Sequence, residues 1–145
     1  MNIKQALKKK NLLVKEIQDL HNRLATYNSV EVGNVRPYSA KESMVKINQL
    51  SDDLVELKTK IHTANAPVYK YIFRLSELKS MITRIKILDC NEGSVQDYYS
   101  RNRETPLVKE SEISIVERDN MIKDMEAAIE SIQDVLDNHN QITEI

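Results

Sequence analysis

Between Ser39 and Asn65 the apolar residues Met44, Ile47, Leu50, Leu54, Leu57, Ile61 and Ala64 recur in steps of three and four, with charged residues filling the gaps. That period places them along one side of an α-helix and leaves the rest to water. A capping box opens the segment: the Ser39 hydroxyl can accept from the N–H of Glu42, and the Glu42 carboxylate can reach back to Ser39. A helix with so narrow an apolar edge is marginal by itself, so its presence demands other helices with matching stripes.

Three further tracts supply them. From Asn2 to about Tyr27, Ile3, Ala6, Lys10, Leu13, Ile17, Leu20, Leu24 and Tyr27 alternate in fours and threes, Lys10 being the polar member, while Leu7, Leu12 and Val14 widen the stripe near its start. At 1.5 Å per residue such a helix is roughly 38 Å long. The third tract, 68–89, carries Tyr71, Leu75, Leu78, Ile82, Ile85 and Leu88, flanked by Ile72, Met81 and Ile87. As the most apolar of the four, it is expected to be the most buried. The fourth, 114–140, opens on a second capping box, Ser114 to Glu117, and runs through Met121 or Ile122, Met125, Ile129, Ile132, Leu136 and His139. Past it, the alternation in QITEI would let Ile142 and Ile145 dock on a neighbour.

The connectors differ in kind. Residues 28–38, NSVEVGNVRPY, hold a glycine, a proline and valines at Val30, Val32 and Val35, which predicts a short extended segment at 29–36. At Asn65-Ala66-Pro67 the proline disfavours helical dihedrals for Ala66 and predicts a tight reversal; a kink in one continuous helix is the alternative. Residues 90–112 form a polar loop, long for a compact domain and therefore either mobile or functional.

The expected fold is thus all-α: four long amphipathic helices, at about 2–27, 39–65, 68–89 and 114–140, in one domain of antiparallel hairpins or coiled-coil bundle. With two glycines, no tryptophan and a single phenylalanine, the chain lacks the runs that sheets need. Narrow seams suit helices that also meet a second copy, so a homo-oligomer, most simply a dimer, is expected, with Met44, Ile47, Leu50, Leu54, Leu57 and Ile61 as the self-association seam.

Chemistry is sparse. A net charge of −1 with both signs in near balance offers no field for bulk nucleic-acid binding. His21, His62 and His139 fall on different helices without ligand spacing, Cys90 has no companion, and Gly33 and Gly93 stand too far apart for a phosphate loop. No catalytic residue, metal site or cofactor is assigned, and the chain is read as not an enzyme. Lysines interrupt every apolar step after Met1 and no run of about 20 apolar residues exists, so a soluble cytoplasmic protein without a transmembrane segment is expected. The sharpest binding candidate is Tyr98, Tyr99, Arg101 and Arg103, residue types that often carry interface energy, placed together in the long loop as a partner-docking site.

The chain also resembles a small bacterial family of septicolysin-like helical proteins. The likeness rests on NSVEVG (Asn28 to Gly33) with Pro37 after it, on IHTAN (Ile61 to Asn65), where His62 and Ala64 depart from the family pattern, on Tyr99-Ser100-Arg101, on Glu112-Ile113, and on NHNQITEI (Asn138 to Ile145), where Gln141 stands for a family tryptophan. The resemblance implies a helical protein of no established enzymatic activity. The first functional reading is therefore a protein that acts by binding itself and another protein; the alternative, carried by the family label, is a membrane-active, cytolysin-like protein. Charges that break every helical stripe count against the alternative.

Overall fold

The computed structural model describes residues 1–95 and 107–145, and its fold is all-α. Four helices account for most of it, α1 (Ile3–Tyr27), α2 (Ala40–Ala64), α3 (Tyr69–Lys86) and α4 (Ile115–Ile142), with a two-stranded ribbon of β1 (Gly93–Val95) and β2 (Leu107–Lys109) between α3 and α4. The chain divides into two compact units, Met1–Tyr69 with Asp137–Ile145, and Lys70–Leu136.

Local signals start α1, α2 and α4 where periodicity places them. Ser39 Oγ accepts from the Glu42 N–H at 3.2 Å and Ser114 Oγ from the Glu117 N–H at 3.1 Å. At α1 a complete capping box, outside the serine-led pattern of the other two, is closed by Asn2 and Gln5: Asn2 Oδ1 accepts from the Gln5 N–H at 2.9 Å and Gln5 Oε1 from the Asn2 N–H at 3.1 Å.

In the first unit α1 and α2 form an antiparallel hairpin. Ile3, Ala6 and Leu13 cluster with Leu57 and Ile61, so the start of α1 lies beside the end of α2, and Glu16 pairs with Lys46 at 3.2 Å along one edge. Ile3 and Ala6 are fully enclosed. The tail completes this end: Ile145 packs against the cluster, its N–H donates to Met1 O at 2.9 Å, and the Ile3 N–H donates to Thr143 O at 3.1 Å. His139, near the end of α4, hydrogen-bonds the carbonyl of Ala64 at 3.1 Å and the hydroxyl of Thr143 at 3.1 Å. A carbonyl only accepts, so Nε2 carries the proton and Nδ1 accepts from Thr143.

The second unit is built from α3, the ribbon and most of α4. Ile72, Leu75, Leu78 and Ile85 on α3 and Ile122, Met125, Ile129 and Ile132 on α4 are half-buried, with Ile82 and Leu136 buried. Arg118 reaches from α4 to the carbonyl of Leu88 at 3.4 Å.

Several expectations are corrected. Residues 29–36 contain no strand: the Asn34 N–H donates to Glu31 O at 3.1 Å across a turn in which Gly33 takes φ of +91°, a left-handed conformation that interrupts any extended run. The polar loop 90–112 is not structureless, because Gly93–Lys109, Ser94–Val108 and Val95–Leu107 pair antiparallel. Ala66 is not extended before Pro67; Ala66–Val68 is a 3₁₀ turn with the proline in its first positions, flanked by right-handed helical backbone at Asn65 and Tyr69. Proline has no N–H to lose at such a start, so its usual helix-breaking cost is absent there. α3 ends at Lys86 rather than 89, and it is not the most buried helix, since Phe73 is 65 % and Met81 46 % exposed and only Ile82 is buried, while α1 holds four buried residues. Apolar content on all sides of a helix cannot all be covered by neighbours on one side. Ile142 is exposed, unlike Ile145, because it is still within α4 and turned from the cluster.

Candidate interaction surface

Of the predicted seam on α2, Leu57 and Ile61 are buried in the cluster with α1 of the same chain, Ile47 is buried, Leu50 and Leu54 are half-buried, and Met44 is exposed. Ser43 takes the buried position in place of Met44. A small side chain there lets the hairpin close at its connector end. Tyr98, Tyr99, Arg101 and Arg103 lie outside the described residues; the ribbon from which their segment departs is pinned at its base by Lys109 to Asp89 at 2.8 Å and by Ser111 to Glu92 at 2.6 Å. The ammonium of Lys109, helped by the N–H of Asn91, holds the Asp89 carboxyl below its ordinary range.

One face of the α1–α2 hairpin is left open. Val14, Ile17, Gln18 and His21 on α1, with Leu54 and Lys58 on α2, line a groove of about 470 Å³. Ile17 and Leu54 form its half-buried floor and Val14 its exposed wall. This follows from the stripe itself: Leu7 and Val14 sit to one side of the α1 seam, a second apolar row that widens the stripe beyond what one facing helix can cover. The sequence held that signal in the seven-residue step from Leu7 through Val14 to His21, which the histidine obscures. On the opposite edge lie Lys9, Asp53, Glu56 and Lys60, around Leu57, Met1 and Ile145. There Lys60 pairs with Glu56 at 2.7 Å, and this hydrogen bond and charge lower the Glu56 pKa.

The far end of the hairpin is tied differently. Arg36 donates to the carbonyls of Tyr27 at 2.9 Å and Asn28 at 3.1 Å, satisfying acceptors that the end of α1 leaves open. Tyr38 packs on Tyr27 with ring centroids 5.5 Å apart and lies under the Arg23 guanidinium at 4.6 Å. Between these anchors Val32 and Val35 are fully in water.

The Tyr69 hydroxyl donates to the carbonyl of His62 at 2.7 Å and also meets His62 Nδ1, which must then be the donor to the phenol oxygen. Cys90 is free and half-buried. Among the described residues no group of three or more His, Cys, Asp or Glu is placed to hold a metal ion, and no helix is long and apolar enough to cross a membrane.

The geometry defines a class, an all-α protein with a capped helical hairpin whose apolar edge is incompletely covered. No protein-family model, curated protein or solved structure matches the chain.

Proposed function

We propose that this is a non-enzymatic interaction and assembly protein of the cytoplasm, acting by association with itself, most simply as a dimer, and with another protein. The observation that carries this reading is the half-wet state of Ile17, Leu50 and Leu54, at seam positions flanked by buried Leu13, Leu20, Ile47 and Leu57. Seam leucines and isoleucines left partly in water gain about 25 cal/mol for each Å² that a partner removes, which favours association wherever shape allows. The anchored loop 28–38, with Val32 and Val35 presented on a fixed base, supports the same reading, because a rigid loop loses little entropy on binding.

Size-exclusion chromatography with light scattering tests it. The full chain, of 16.8 kDa, is expected at twice that mass at micromolar concentration, and Leu50→Asp, which alters a half-buried position, is expected to return it to monomer mass with helicity retained. A monomer at all concentrations removes self-association from the proposal. Unaltered mass in Leu50→Asp moves the interface elsewhere.

A further inference from the structure

The groove between α1 and α2 has a charge character that says what can lie in it. None of its six lining residues is a carboxylate; its floor and wall are Val14, Ile17 and Leu54, and its rim is Gln18, His21 and Lys58. Lys10, half-buried, lies one helical turn before Val14 and extends the same rim. On the other edge Glu16 is paired with Lys46, and Asp53 and Glu56 share a hollow with Lys9 and Lys60. One side of the hairpin is therefore charge-balanced and the other is apolar with a cationic border.

Two copies of this face cannot close on each other well, because Lys10 and Lys58 of each would be brought toward those of the other with no carboxylate between them. Like charges at an interface cost affinity and reject a partner. A trough between two antiparallel helices accepts a third helix laid along it, with apolar residues at i, i+3, i+4 and i+7 entering the floor.

We infer that this groove is a docking site for an amphipathic helix of another protein, one whose apolar stripe is bordered by aspartate and glutamate. The apolar floor supplies affinity; Lys10 and Lys58 set the sign of charge that is accepted. The inference rests on the heterologous half of the proposal above and names the chemistry of that partner and its place. Self-association then belongs to a different surface or to the parts of the α2 seam nearer Leu50.

The test uses the full chain, labelled with ¹⁵N, and two synthetic helical peptides of about 18 residues with the same leucine stripe, one bordered by glutamate and one by lysine. The glutamate peptide is expected to bind about ten-fold more tightly, to shift the amides of Val14, Ile17, Leu54 and Lys58, and to weaken as salt rises. Reversing the rim with Lys10→Glu and Lys58→Glu is expected to invert the preference. Val14→Asn, at an exposed position that leaves the hairpin core untouched, is expected to weaken both peptides and guards against a rim variant that does not fold. Equal affinity for the two peptides, no binding of the glutamate peptide, or amide shifts confined to other helices overturns the inference. A dimer by light scattering that fails to bind the peptide discards this site and leaves self-association standing; a monomer that binds it does the reverse.

Discussion

Ile145 and Ile3 belong to one apolar cluster although they stand at opposite ends of the chain, and the backbone holds them there: the Ile145 N–H donates to Met1 O at 2.9 Å and Asn2 bridges Glu144 in antiparallel fashion. The amino group of Met1 adds an ion pair to Glu144 at 2.7 Å, though exposure of both partners makes that contact worth little. The tail thus acts as a lid on the start of the α1–α2 hairpin. Substituting Ile145→Asp places a charge against the cluster of Ile3, Ala6 and Leu57 and is expected to cost about 2 kcal/mol, whereas Ile142→Asp, at a position 68 % exposed, should stay within about 0.5 kcal/mol of the parent. Urea denaturation of both decides; equal effects contradict the lid.

A second pair of positions separates folding from association. Leu57 is 7 % exposed inside the hairpin cluster, while Leu12, also a leucine of the same hairpin, is 61 % exposed. Leu57→Ala is expected to destabilise by about 2–4 kcal/mol through lost burial and the cavity left behind, and Leu12→Ala by less than about 0.5 kcal/mol. Thermal melts at two protein concentrations show whether either value depends on assembly.

The connector between α1 and α2 offers a backbone test. At Gly33 a Cβ would meet nothing within 4 Å, yet φ is +91°. Gly33→Ala therefore loses stability through conformation alone, by about 1 kcal/mol, and any clash is excluded as the cause. Val35→Ala in the same loop, at 91 % exposure, is expected to leave the melting temperature unchanged.

The ribbon carries the clearest acid sensitivity. The folded Asp89 carboxyl is held below the ordinary aspartate value of 3.8, first by its hydrogen bond to Lys109 and then by the N–H of Asn91. A carboxylate depressed in the folded state stabilises at pH above the unfolded value and loses that contribution as pH falls through the folded one. Ribbon protection should thus be flat from neutrality down to about pH 4 and weaken below it. In Lys109→Ala the carbon-13 titration of the Asp89 carboxyl should move upward; an unmoved inflection refutes the assignment of cause.

The four helices and two of their start signals were legible in the sequence, because capping and a period of three and four act over short spans of chain. Ser39, Ser114 and the row Ile47, Leu57, Ile61 needed no knowledge of the rest of the molecule. Whether a given apolar residue is covered depends on which neighbour arrives, and there local pattern fails: Met44 and Ser43 are adjacent, the pattern favoured the methionine, and the structure buries the serine. Ile142 and Ile145 alternate alike in the sequence, yet one ends a helix in water and the other closes the core.

What the chain order determined by itself is the set of rods, their caps and the narrow apolar edge each one carries, since these arise from contacts between residues a turn apart. The tertiary structure alone decided that the tail returns to the start of α1, that the long polar segment begins and ends in a paired ribbon, and that Glu16, Asp53 and Glu56 lie away from the groove lined by Val14, Ile17 and Leu54. Those outcomes depend on residues up to 143 positions apart, and no periodicity connects groups that only folding brings within reach.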